Sequence, residues 1–330
     1  MTIAEIAARA GVSKTAVSRY LNDGYISEEK REAIRRVIEE TGYVPSRQAQ
    51  MLRTGRSRLI GVILPRIDSE SVSRIMRGIS RALDGTEFQL LLANTENNAA
   101  RELEYLEVFR KGHVDGVLLI ATVLSPAHRK AIRESQVPIV VIGQHSVDCS
   151  CVFHDDEAAA RALTAHLIET GRRRIAYIGV TTRDHAAGML RKKGVQNALV
   201  AAGLPWDDAL TEQTPFSFEG GQEACARLLK RNMKFDGLFC ATDSIAIGAI
   251  RTLQAAGKRV PETVGVVGVG HSRLSELVHP TLTTAHYYYE KSGEEAVRIL
   301  LGILNGQAGM RQEIRLGYEI ICQESTGKIG

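Results

Sequence analysis

The chain has 330 residues, 44% hydrophobic, 24% charged and 5% aromatic, with a formal net charge of +4. At roughly 100 to 200 residues per domain it holds two or three domains, and the disordered and fibrous classes are excluded. Residues 1–58 carry 11 Lys+Arg against 7 Asp+Glu, which leaves 31 of each sign for residues 59–330. The positive excess therefore sits at the front, as in a small basic module for nucleic acid or an anionic membrane joined to a neutral body. No apolar run approaches the ~20 residues that span a bilayer, and Met1-Thr2-Ile3-Ala4-Glu5 opens no basic-then-apolar leader, so no membrane partner and a cytoplasmic location are expected. Five cysteines, an odd number, argue against a disulfide framework.

The first 45 residues read as three short helices. Thr2 and Glu5 have the spacing of a capping box, followed by Ile3, Ile6, Ala7 and Ala10 at helical spacing. Gly11 supplies a left-handed turn, and Ser13 caps a second helix, Lys14 to Asn22, with Val17 and Leu21 inward. Ser27-Glu28-Glu29 starts a third helix with Ile34, Val37 and Ile38 on its apolar face, ended by Gly42. The stretch from Ala7 to Asn22 thus has helix-turn-helix form: a small residue, a glycine turn, then a helix whose outward face carries Lys14, Thr15, Ser18, Arg19 and Asn22. These side chains reach phosphates and major-groove base edges.

Residues 45–58 hold four arginines and no acid. Ser46 can cap a short basic helix running to Arg53, too small to be stable alone, which would order on an anionic partner. From Leu59 onward, short apolar runs alternate with amphipathic helical stretches: 59–64, 90–92, 117–120, 139–142, 175–178, 237–240 and 264–267. Such alternation marks parallel sheets covered on both faces, and about 270 residues of it imply two α/β lobes.

The chain resembles the lactose-repressor (LacI/GalR) family over its whole length. The blocks are Ile3-Ala4-Glu5-Ile6-Ala7, Gly11-Val12-Ser13, Val17-Ser18-Arg19, Leu21-Asn22, Gly42-Tyr43-Val44-Pro45-Ser46-Arg47 with Ala49 and Leu52, and Ile60-Gly61-Val62. The resemblance implies an α/β fold with a helix-turn-helix domain (1–45), a hinge helix and linker (46–58), and a core of two lobes like periplasmic binding proteins. The first lobe would comprise 59–157 plus about 287–322, the second 158–286. It also implies a homodimer on double-stranded operator DNA, with Lys14, Thr15 and Arg19 over the bases. Ser13, Ser18, Asn22, Ser46, Arg47 and Ala49 complete the expected DNA-binding set, and Leu52 would wedge into the minor groove. No apolar heptad tail follows Ile321-Cys322-Gln323, so a dimer is expected rather than a tetramer.

A small-molecule effector is expected between the lobes at the carboxyl ends of the strands. Arg191 matches an arginine that the family places on its effector. Where the family normally has Gly-Tyr-Asp-Asp, this chain has Gly268-Val269-Gly270-His271, and Thr242-Asp243 stands for the usual Asn-Asp. Pro65-Arg66-Ile67-Asp68-Ser69, His154-Asp155-Asp156-Glu157, Cys240-Ala241-Thr242-Asp243 and Tyr287-Tyr288-Tyr289-Glu290 look like the trehalose and sucrose-operon repressors of the family. That narrower likeness implies a phosphorylated disaccharide gripped by Arg66, Arg191 and Tyr289, with Gln144, Thr242 and His271 toward hydroxyls and Asp243 either there or capping a helix. The expected function is a repressor of a carbohydrate operon released by this effector. A regulator dependent on a corepressor or a phosphoprotein is the alternative within the family, and an α/β sugar-processing enzyme the remote one.

No nucleophile elbow, P-loop or metal-ligand set is present, so neither an enzyme nor a cofactor is expected. His145, Cys149, Cys151 and His154 lack zinc-site spacing. Gly265 to Gly270 does not follow the dinucleotide-binding pattern.

Overall fold

A computed structural model describes residues 1–21, 24–43, 56–307 and 310–327. The chain divides into two compact units, Met1–Ser57 and Arg58–Gly330.

In the first unit, α1 (Ile3–Ala10) opens with the capping box: Thr2 N donates to Glu5 Oε2 at 2.8 Å and Glu5 N to Thr2 Oγ1 at 3.3 Å. Gly11 closes it at φ 64°, a conformation that costs glycine nothing. Next comes α2 (Lys14–Tyr20), capped by Ser13, whose hydroxyl accepts from Ala16 N at 3.1 Å. The third helix, α3 (Glu28–Thr41), carries Glu28 and Glu29 in its first turn. Ile6, Ala7, Val17, Ile34 and Val37 are buried together and hold the three helices at their angles.

The second unit holds two six-stranded sheets. The first contains β1 (Leu59–Leu64), β2 (Gln89–Asn94), β3 (Gly116–Ile120), β4 (Ile139–Ile142), β5 (Ser150–His154) and β11 (Glu313–Leu316), in the order β11-β5-β4-β3-β1-β2, all parallel. Helices α4 (Glu70–Leu83) and α11 (Tyr289–Leu304) cover one face, α5 (Ala99–Val108) and α6 (Pro126–Arg133) the other. The second sheet contains β6 (Ile175–Gly179), β7 (Thr211–Gln213), β8 (Gly237–Cys240), β9 (Gly265–Gly270), β10 (Thr283–Tyr287) and β12 (Tyr318–Ile321), in the order β12-β10-β9-β8-β6-β7. Here α9 (Phe218–Lys230) and α10 (Asp243–Ala255) pack on one face, and α7 (Asp156–Glu169) and α8 (Arg191–Ala201) on the other. Only β12 runs antiparallel to its neighbour. Central strands such as β3, β4 and β8 are buried on both faces, which explains their unbroken apolar sequences.

The chain passes between the sheets at 154–156, 287–289 and 316–318. This corrects the expected first lobe at its far end: the residues of β12 pair with β10, because after Gly317 the chain turns back into the second sheet. Asp156 and Glu157 likewise open α7, whose Ala159, Leu163 and Leu167 belong to the second core. In the first lobe α4 and α11 touch through glycines. A Cβ on Gly78 would meet the Glu290 carbonyl at 1.9 Å, and one on Gly293 the Ile75 carbonyl at 2.3 Å. Only the lack of a side chain allows that approach.

Candidate functional site: an interlobe cavity and a recognition helix

The strands of both sheets end around a cavity of about 360 Å³. Strand after strand delivers a cavity residue at or just past its carboxyl end. Arg66 follows β1, Gln144 follows β4, Asp156 follows β5, Asp243 follows β8, Gly270 ends β9 and Tyr289 follows β10. Parallel strands bring these ends together, and the crossings between sheets set two such edges face to face.

At the centre lies a buried cluster. Arg191, at the start of α8, donates from Nε to Asp156 Oδ1 at 2.7 Å and through Nη1 to the Ala241 carbonyl. The same Asp156 oxygen accepts from the Tyr287 hydroxyl at 3.0 Å. Burial alone would lower the Arg191 pKa, but Asp156 and the Tyr287 and Tyr289 hydroxyls together outweigh it and raise it. Arg191 is thus a permanent cation held against one carboxylate. The Tyr287 ring lies against the guanidinium, 5.3 Å from centroid to Cζ, and stacks on His154 at 4.5 Å. Burial depresses His154 to about 4, so its imidazole is neutral near pH 7.

Hydrogen bonds cross the cavity from lobe to lobe at several points. Gln144 Nε2 donates to Asp184 Oδ1 at 2.8 Å, and Gln144 Oε1 accepts from Ala186 N at 3.2 Å. Burial pushes Asp184 up to about 6 against the opposing pull of the Ala187 N–H and Gln144. Arg74 on α4 donates to the carbonyls of Gly270 at 3.1 Å, His271 at 3.0 Å and Tyr287 at 3.4 Å, with its guanidinium 5.3 Å from the Tyr289 centroid. Arg66 donates from Nη1 to the Phe216 carbonyl at 2.6 Å.

Of the expected effector residues, Arg66, Gln144, Arg191, Thr242, Asp243 and Tyr289 line the cavity, and His271 does not. Its ring is tied instead to His286 Nδ1 at 2.9 Å and to Glu276 at 3.1 Å. Arg66 is placed as expected but engaged otherwise. Its Nε and Nη2 hold both oxygens of Asp68, at 2.9 and 2.7 Å, an ion pair that raises the arginine and lowers the acid. Asp243 is buried, accepting from Thr284 Oγ1 and Ser272 N, each at 2.6 Å, while Thr242 is the residue that caps α10. The absence of an acid at Gly270 does not clear the spot of carboxylate, since a Cβ there would lie 3.6 Å from Asp243 Oδ2. The Tyr289 hydroxyl borders the cavity, and burial pushes it up to about 12.

Asp156, Asp184, Arg74, Tyr287 and His154 were not among the expected site residues. Asp156, His154 and Tyr287 lie in stretches that resemble other sugar repressors, but the resemblance implied no role for them. Arg74 shares helical spacing with Arg77 and Arg81, which pair with Glu290 at the surface, so nothing in the sequence singled it out.

On α2, Ser13, Lys14, Thr15 and Arg19 are exposed and Ser18 is half-buried. Neither Lys14 nor Arg19 is in an ion pair among the described residues. Asn22, Ser46, Arg47, Ala49 and Leu52 lie outside the described residues. Among those described, no group of three or more His, Cys, Asp or Glu is arranged to hold a metal ion, and no helix is long and apolar enough to cross a membrane. Burial pushes the Cys149 thiol up to about 11.

Residues 2–46 match the model of the bacterial regulatory proteins of the lacI family, and residues 164–326 a periplasmic binding protein-like domain. The sucrose operon repressor of Staphylococcus xylosus is 33% identical over 96% of this chain and 98% of its own length. The chain belongs to the LacI family. Within it, the regulator CelR of Thermobifida fusca is 34% identical over 98% of both chains. A solved CelR–cellobiose complex superposes with a TM-score of 0.76 at 32% identity, covering 98% of this chain and 99% of that one. The lac repressor dimer bound to operator shares the fold, with a TM-score of 0.88 at 23% identity over 99% of each chain. This LacI-family chain therefore has the α/β architecture expected of it, and the relatives reported are regulators of transcription.

Proposed function

We propose that this protein represses a carbohydrate-utilisation operon, binding double-stranded operator DNA as a homodimer through α2 and leaving it when a small sugar fills the interlobe cavity. The observation that carries the reading is the cavity itself, closed by hydrogen bonds from Gln144, Arg74 and Arg66 to the opposite lobe. A ligand that exchanges with those bonds changes how the lobes sit, and a bistable pair of lobes is a means of passing occupancy to another part of the chain. Its relatives, a sucrose operon repressor and a regulator solved in complex with cellobiose, support a sugar. On α2 the exposed Lys14, Thr15 and Arg19 support base contact. Exposed Leu91 and Leu92 on the edge strand β2 support a second copy as partner. Residues 46–58 would serve as hinge and linker, with Leu52 as the wedge.

The test is fluorescence anisotropy of the full chain on the DNA upstream of the genes beside its own, with a panel of mono- and disaccharides, free and phosphorylated. Release by a panel member is expected. Tightening would identify a corepressor instead, and a Kd that no sugar moves would overturn sugar control.

A further inference from the structure

Resting on the reading of the cavity as a sugar site, we infer that it takes a sugar without a phosphate group. A phosphate dianion is held by guanidiniums that offer it two parallel N–H donors. In this cavity those donors face elsewhere. Arg66 is bidentate on Asp68 with its third nitrogen on the Phe216 carbonyl. Arg74 faces three backbone carbonyls. Arg191 has Nε on Asp156 and Nη1 on the Ala241 carbonyl, so the guanidinium nitrogens of the three without a bond among the described residues are Arg191 Nη2 and Arg74 Nε, which belong to two different side chains and form no fork.

The charge around the cavity points the same way. Arg66, Arg74 and Arg191 line it together with Asp68, Glu70, Asp156, Asp184 and Asp243, so carboxylates outnumber guanidiniums. Glu70 is itself an acceptor, bonded to Arg273 N at 2.8 Å. The oxygens without a bond among the described residues, Asp156 Oδ2, Asp184 Oδ2 and Glu70 Oε2, accept hydrogen bonds and repel an anion. Sugar hydroxyls donate to such oxygens and can accept from Arg191 Nη2 and the Tyr289 hydroxyl. The lining is therefore complementary to a neutral polyol and opposed to a dianion. The phosphorylated disaccharide expected from the sequence would have to displace Asp68 from Arg66 and sit among the remaining carboxylates.

Isothermal titration of the full chain with matched pairs decides this: sucrose and sucrose 6-phosphate, trehalose and trehalose 6-phosphate, glucose and glucose 6-phosphate. In the pair that binds, the unphosphorylated member is expected to bind at least about tenfold more tightly. Asp68→Asn, at a solvent-exposed position, frees Arg66 and is expected to narrow that gap about threefold or more. A phosphorylated member that binds more tightly to the unaltered protein overturns the inference and leaves the sugar reading standing. A gap that Asp68→Asn leaves unchanged also overturns it, since the occupied guanidinium would then not set the preference. Silence from all six compounds overturns the sugar reading and this inference together.

Discussion

On α2, Lys14 and Arg19 stand exposed without an ion-pair partner among the described residues, whereas in the cavity Arg66, Arg74 and Arg191 have their donors turned onto protein oxygens. The same side-chain type is thus prepared for opposite partners. A solvated cation beside a polyanion releases counterions, and its affinity falls with salt. A buried cation matched to a carboxylate contributes shape and fixed hydrogen bonds, and a neutral ligand placed against it responds little to salt. Charge at the front of the chain is available to a ligand, and charge in the body is an internal framework.

The hardest blow to this contrast would come from Arg191→Met. Removing the cation leaves Asp156 buried against one phenol, and the cost is expected to be about 3–5 kcal/mol by urea denaturation. Arg19→Met, on the exposed face, should stay within about 0.5 kcal/mol in the same assay. Similar values for the two variants would erase the distinction.

Asp184 sharpens the comparison through pH. Burial raises its pKa from 3.8 to about 6, so between those values the folded chain holds a proton that the unfolded chain has lost. The stability of the unaltered protein relative to Asp184→Asn should therefore fall as pH rises from about 4 to 6 and level off above, by about 3 kcal/mol in all. A flat difference across that window would show that the Asp184 carboxylate is not held neutral by burial.

The last expected effect belongs to the exposed side and to DNA rather than to stability. Arg19→Ala should weaken binding to specific DNA by about 1–3 kcal/mol if the side chain reads a base, or lower the salt slope by about 1 if it meets a phosphate. Sugar affinity, measured in parallel by calorimetry, should not change. A variant that altered both would contradict the division of labour.

Much of this was legible along the chain. The Thr2–Glu5 capping box, the Gly11 turn and the Ser13 cap are contacts between residues a few positions apart, so spacing alone predicted them. The central strands were visible because burial on both faces demands continuous apolar runs. The strands β7, β11 and β12 were not, since half-exposed strands carry mixed sequences, and neither were the buried β5 and β10, whose Ser150, Thr283 and Thr284 break the apolar run and find hydrogen-bond partners far along the chain. In the cavity, Arg191 was found by its motif, but its partner Asp156 lies 35 positions away, and Gln144 meets Asp184 across 40. Arg66 was found but its engagement was not, because the sequence shows a cation and not the carbonyl of Phe216, 150 residues on, that receives it.

What the sequence determined by itself was therefore local: helix starts and stops, the polar face of α2, the apolar runs that must be buried, and the placing of the net charge. Tertiary structure alone decided which charges remain open to a ligand. A side chain's charge belongs to its residue type, but its availability depends on what long-range packing sets within hydrogen-bonding distance, and in this cavity three crossings of the chain between lobes do so.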